Sequence, residues 1–234
     1  MKKLFIVIFL IGLSMNSQIL DQRERAVKIN EILKYRFENL LPKLMDQAEI
    51  DMWILISREY NEDPVLKTML PATWLNARRR TIILFYRNKA NTTIEKLAVA
   101  RYNFGENIIS AWNKDEEPDQ WMRLMQLIEE RNPNTIALNY STDFNISDGL
   151  DKTDYDEFMS YLPENFKSKV ISSEKLAIAW IETRTEREMI IYNQLVDITH
   201  DIISEAFSEK VITPGITTTS DVEWWMRQKV TDLG

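Results

Sequence analysis

Cysteine is absent from the 234-residue sequence, and histidine occurs once, at His200. Those two gaps exclude a disulfide framework, a cysteine nucleophile, a lipidated cysteine and any zinc site built from a Cys/His cluster; a Ser-His-Asp triad would have to use His200. Glycine is scarce as well, with five residues, and no glycine-rich phosphate loop can be found among them. Positive charge is in deficit: 29 Lys and Arg against 36 Asp and Glu leave a net charge of -7. A basic nucleic-acid footprint is therefore not expected.

The composition that remains is globular. With 44% hydrophobic and 28% charged residues, the chain can bury one large core or two small ones. The opening MKKLFIVIFLIGLSMNSQ sets two lysines before an apolar stretch from Leu4 to Leu13, followed by small and polar residues. That order is the layout of a secretory signal peptide, expected over residues 1–20, and the apolar stretch falls short of the ~20 residues a spanning helix needs. Removing Lys2 and Lys3 with it takes the charge from -7 to -9. The expected location is exported, periplasmic or secreted, with no stable membrane span once the signal is removed. Asn91, Asn139 and Asn145 open Asn-x-Ser/Thr sequons, which matter only in a host that glycosylates.

Periodicity supplies the elements. Ala26, Ile29, Leu33, Phe37, Leu40 and Leu44 draw an apolar stripe along a helix that Asp21 and Glu24 can cap and that Pro42 should kink or restart. Strand-like runs follow at 52–57, 81–87, 96–102, 135–139 and 169–172, with helical patterns at 118–130 and 151–162. Strands interleaved with helices predict an α/β fold with a mixed sheet flanked by helices. From Glu174 onward the signals are helical. Thr185-x-x-Glu188 and Ser220-x-x-Glu223 read as capping boxes, the second after a Pro214-Gly215 turn. On the first of these helices the apolar arc spans about half the circumference, so it expects partners on more than one side. On the last, Val222, Trp225, Met226, Val230 and Leu233 share a face, while Trp224 points almost the opposite way and should be exposed.

No set of residues assembles an active site. His200 lies at the border of its apolar arc, the place of a hydrogen-bonded core edge, with Asp197 and Asp201 on the solvated side. Asp143-x-Asn145-x-Ser147 imitates the start of a calcium loop but has Asp148 where that loop needs Gly and Asp154 where it needs a bidentate Glu. Arg78, Arg79 and Arg80 precede an apolar run, which favours a charged lead-in to a strand over an anion site. Glu116-Glu117 and the Asp154, Asp156 pair show no convergence.

The passages IDMWILISREYNEDPVL (50–66), NARRRTIILF, SDGLD and SEKLAIAWIETRTEREM together resemble the N-terminal domain of the creatinase, prolidase and aminopeptidase P family of metallopeptidases. The tail from Glu186 through VITPGITTTSDVEWWMRQKVTDLG resembles the first helices of that family's α+β pita-bread catalytic domain. After the signal peptide at 1–20, the resemblance implies a creatinase-like N-terminal domain at 21–178 and the incomplete start of a catalytic domain at 179–234. It implies two divalent metal ions (Mn, Co or Zn) in the full-length enzyme and hydrolysis of bonds next to proline. It carries no metal ligand or catalytic residue onto this sequence, because the family's ligand series is expected beyond Gly234. Its N-terminal domain serves dimerisation and substrate access, so a homodimer and proline-containing peptides are the implied partners. Tyr60, Glu62 and Asp63 are the candidate interface or access residues, a solvated polar turn before Pro64 being the plainer reading of the same stretch. Two further functions stay open at this point: a truncated, non-catalytic dimerisation or regulatory module, and hydrolysis of another C-N bond as in creatinase.

Overall fold

The computed structural model describes residues 19–88 and 93–234. The expected signal sequence, apart from its last two residues, and the Asn91 sequon lie outside the described residues. Contacts divide the chain into two compact units, one of Gln22–Glu186 and another that includes Arg187–Gly234.

The first unit is a mixed six-stranded sheet covered by helices on both faces. Its strands are β1 (Met52–Arg58), β2 (Arg80–Asn88), β3 (Thr93–Ala98), β4 (Ile109–Ser110), β5 (Ile136–Leu138) and β6 (Val170–Ser172), in the order β4-β3-β2-β1-β5-β6. The central pair β1 and β2 is antiparallel, with Met52 opposite Tyr86 and Arg58 opposite Arg80. β2 and β3 are also antiparallel. β4, β5 and β6 each join a neighbour in parallel.

Alternation of side chains across β1 and β2 explains why their sequences are almost wholly apolar. Trp53, Leu55, Ile83 and Phe85 point into one core, while Met52, Ile54, Ile56, Ile82 and Leu84 point into the other. The first core is closed by α1 (Gln22–Tyr35), α2 (Leu41–Gln47), α3 (Pro64–Lys67) and α7 (Glu174–Glu182). The second is closed by α4 (Gln120–Arg131), α5 (Lys152–Tyr161) and α6 (Glu164–Lys167). The expected restart at Pro42 is present: a π-helical turn over Arg36–Leu40 separates α1 from α2, and Pro42 occupies the first turn of α2, where its missing N–H costs nothing. α7 places Leu176, Ala177 and Trp180 in the first core. Buried Arg36 helps hold it there, stacking its guanidinium 4.4 Å from the Trp180 ring and donating to the Thr183 carbonyl at 2.8 Å.

Two sequence expectations shift. The strand expected at 96–102 runs instead over Thr93–Ala98, because the chain bends after Ala98, with Val99, Ala100 and Tyr102 packing on the cores and Arg101 exposed. β4 was not expected, its two residues being too short to show a period.

The second unit contains α8 (Glu186–Ala206) and α9 (Thr219–Leu233). Lys229 Nζ on α9 meets Glu205 Oε2 on α8 at 3.0 Å, and Ala206 and Val222 are buried. The cap of α9 is Thr218, not Ser220: the Thr218 hydroxyl accepts from the Asp221 amide, and the Asp221 carboxylate accepts from the Thr218 amide. Trp224 is exposed, as its phase predicts, with Arg227 stacked 5.4 Å from its ring. Val230 departs from the expected packed face and is exposed too. His200 is exposed rather than placed at a core edge, and Ala206 is buried on the same helix.

Candidate functional site

The carboxyl ends of the three parallel strands β1, β5 and β6 lie side by side, the position where open α/β sheets gather their functional groups. A buried polar residue lies at or beside each strand end: Ser57, one before the last residue of β1, Asn139 directly after β5 and Ser173 directly after β6. Asp63, the N-cap of α3, reaches in from the loop that follows β1.

These groups bond to one another. Asp63 Oδ1 accepts from the Val65 and Leu66 amides at 2.7 and 2.9 Å, which satisfies two of the orphan donors of α3. Asp63 Oδ2 accepts from Asn139 Nδ2 at 2.7 Å, and the Asp63 amide donates to Ser57 Oγ at 2.9 Å. On the far side of the amide, Asn139 Oδ1 accepts from Trp53 Nε1 at 2.7 Å and from the Ser173 hydroxyl. Gly149, in the SDGLD loop, lies so close that a Cβ there would stand 2.4 Å from Asp63 Cγ. Burial pushes the Asp63 carboxyl above the ordinary aspartate range, against the opposing pull of the Leu66 amide, Asn139 and the Val65 amide.

Beside this network lies an ionic one. Arg58 donates two bonds to Asp154, Nε to Oδ2 at 2.9 Å and Nη2 to Oδ1 at 2.8 Å, and its Nε stands 3.4 Å from Asp151. Arg80, opposite Arg58 in the β1 and β2 register, meets Glu157 at 2.6 Å and stacks 4.3 Å from the Trp121 ring. The Trp121 indole donates to Glu157 at 2.8 Å and, with Arg80 and Arg58, holds its carboxyl below the usual glutamate range. Arg58 is raised further above its ordinary value, first by the Asp154 hydrogen bond.

The candidate loop residues separate. Tyr60 is 88% exposed on a left-handed backbone (φ 70°), and its amide donates to Glu62 Oε1 at 3.3 Å. Glu62 is half-buried. Asp63 is fully buried, with both carboxylate oxygens engaged inside the fold, so it is turned away from both solvent and any partner. Sequence reasoning did not single out Asn139, Ser173 or Gly149 as Asp63's neighbours; Asn139, which also opens a sequon, is 1% exposed. The imitation calcium loop is a 3-10 turn over Asn145–Ser147, with Ser147 buried. Among the described residues, no group of three or more His, Asp or Glu side chains is placed to hold a metal ion, and no helix is long and apolar enough to cross a membrane.

Neither a family model nor a curated relative matches the sequence. Among solved structures the chain is similar to an Xaa-Pro dipeptidase from Bacillus anthracis, with 15% identity over 87% of this chain and a TM-score of 0.46. The chain spans about half of that structure, 49% of its length.

Proposed function

We propose that Gln22–Glu186 is the dimerisation and substrate-access domain of an exported Xaa-Pro-type metallopeptidase, and that the 234-residue chain by itself does not hydrolyse peptides. The observation that carries this reading is the inward closure of the Asp63, Asn139 and Ser173 network. The polar groups at the strand ends, where an α/β domain would place its chemistry, bond each other instead of facing an open cleft. Among the exposed side chains of the unit, Tyr60 stands out as a large aromatic on a turn held in the left-handed region. The textual resemblance of 50–66 and 173–189 to the creatinase and aminopeptidase P family supplies the peptidase class, the two divalent ions and the proline-containing substrates.

Light scattering on the purified chain tests the dimer, and a peptide assay tests the chemistry. The expected mass is twice that of the 27.7 kDa chain, with Tyr60→Ala shifting the population toward monomer. No release from Xaa-Pro dipeptides or tripeptides is expected with added Mn, Co or Zn. A monomer unaffected by Tyr60→Ala would remove the dimerisation role, and metal-dependent turnover by this chain would overturn the non-catalytic one.

A further inference from the structure

A cleft of about 850 Å³ opens at the edge of the same unit, within the range of small-molecule sites, and five cationic residues line it: Arg78, Arg79, Arg80, Arg101 and Lys114. The topology brings them together. β2 and β3 are antiparallel, so the start of β2, which carries Arg78 to Arg80, lies beside the end of β3, which leads to Arg101. β4 runs parallel to β3 and its exit carries Lys114 to the same edge. The sequence run Arg78-Arg79-Arg80 alone favoured a lead-in to a strand, and Arg80 fills that role. Convergence with Arg101 and Lys114 was not visible from the run.

Four of the five cations gathered in this cleft lack the carboxylate partner that several other arginines of the unit have. Arg58, Arg80, Arg87, Arg123 and Arg131 each meet a carboxylate within 3.5 Å. Arg78, Arg79, Arg101 and Lys114 have no ion pair among the described residues. The carboxylate of Asp119, which also lines the cleft, is engaged by the Trp121 amide at 2.8 Å and the Tyr161 hydroxyl at 3.0 Å. Four cations without an ion pair face one lining carboxylate, Asp119, with Glu59 beside Arg79, so the cleft keeps net positive charge in a chain whose total is -7.

The walls are built rather than loose. Trp74, Tyr102 and Phe104 pack as a ring cluster with centroids 4.8 to 5.6 Å apart, and Arg78 lies 5.9 Å from the Trp74 ring. Trp112 is pinned by its indole N–H to the Glu117 carbonyl at 2.7 Å. Arg79 is held in the left-handed region (φ 46°), with its carbonyl accepting from the Glu59 amide at 2.6 Å. Burial raises the Tyr102 hydroxyl above its ordinary value, against the pull of Arg78 and Arg101 and with the push of Glu59, so it stays a hydrogen-bond donor.

We propose that this cleft binds a small organic or inorganic anion with two or more phosphate groups. Guanidinium forks bind phosphate oxygens in pairs, Lys114 adds a point charge, and Tyr102 and Trp112 offer surface to an apolar portion. The acidic remainder of the chain disfavours a long polyanion, whereas a small ligand lies within the ~8 Å screening length of the cleft's own charges.

Calorimetric titration of the full chain with inorganic tripolyphosphate at about 0.1 M ionic strength tests it. One ligand per chain is expected, bound more tightly than inorganic phosphate. Arg78→Ala and Arg101→Ala should each raise Kd about tenfold, the loss of one charge-assisted hydrogen bond. Lys152→Ala, an exposed cation paired with Asp156 on α5, should leave Kd unchanged; circular dichroism confirms that each variant is folded. The proposal is overturned by absence of binding, by unchanged Kd in Arg78→Ala and Arg101→Ala, by equal weakening in Lys152→Ala, or by equal affinity for inorganic phosphate.

Discussion

Asn139 Nδ2 donates to Asp63 Oδ2 at 2.7 Å, tying the end of β5 to the cap of α3 across 76 positions of sequence. Both residues are buried, so neither can exchange this bond for water. Asp63→Ala removes the cap of α3 and leaves Asn139 with an unmet donor; about 3 kcal/mol of stability should be lost, from the cap and the orphaned amide together. Urea unfolding of the wild type and the variant measures it, and a loss no larger than that of an exposed-surface substitution would refute the structural role.

Asp63→Asn tests the charge separately from the cap. Folding raises the Asp63 pKa, so between the ordinary aspartate value and the raised one the native state binds more protons than the unfolded chain. Stability contributed by this group is therefore greatest at low pH and falls as pH rises through that window. The asparagine variant keeps an oxygen for the Val65 and Leu66 amides but turns an NH₂ toward Asn139. The wild type should be more stable than Asp63→Asn at about pH 4, with the advantage shrinking toward about pH 7. A constant difference across that range would mean the carboxyl is not perturbed by burial.

Gly149 is predicted to tolerate no side chain. A Cβ would stand 2.4 Å from Asp63 Cγ and 2.8 Å from its Cβ, and neither atom can retreat without breaking the α3 cap. Gly149→Ala should cost about 3 kcal/mol as overpacking, with near-wild-type helix content and an earlier urea midpoint. Gly215, whose Cβ would meet nothing within 4 Å, has a positive φ instead, so any penalty in Gly215→Ala must come from the backbone.

How much of this was legible in the sequence depends on the range of the interactions. β1 and β2 announced themselves because both faces are buried, so every position from Met52 to Ile56 is apolar. The Pro42 restart is equally local. β3 was misplaced because Val99 and Ala100 remain buried after the strand has ended, and burial, not pairing, is what an apolar run reports. The Asp63 network is invisible by the same logic: its members are short polar residues in loops, and composition alone makes such stretches look solvated. The anion cleft gave one signal, the arginine run, and hid the other half behind strand pairing.

Asp154 should be the sensitive member of the ionic network. It is fully buried and receives both bonds of the Arg58 fork, whereas the Arg58 side chain keeps 38% of its surface in water. Solvent screening on the arginine side limits the pair, so Asp154→Ala should cost about 2 kcal/mol, below the loss for a wholly buried pair. Double-mutant cycles with Arg58→Ala measure the coupling; additive losses would show that the fork contributes nothing beyond packing.

The start of α9 offers a test at a single turn. Two residues could cap it by type: Ser220, three positions before Glu223, and Thr218, three before Asp221. The structure uses Thr218, whose amide and hydroxyl both bond Asp221 and hold its carboxyl below the ordinary aspartate range. Because that value is lowered by folding, the contribution is present above the unfolded pKa and lost as pH falls through the folded one. Thr218→Ala should destabilise α9 by about 1 kcal/mol, read as faster amide exchange in its first turns, and Ser220→Ala, already inside the helix, should have little effect. The reverse ranking would return the cap to Ser220. The choice follows from backbone geometry: Thr218 is extended (φ -90°, ψ 165°), as a cap must be to aim its oxygen at the third amide.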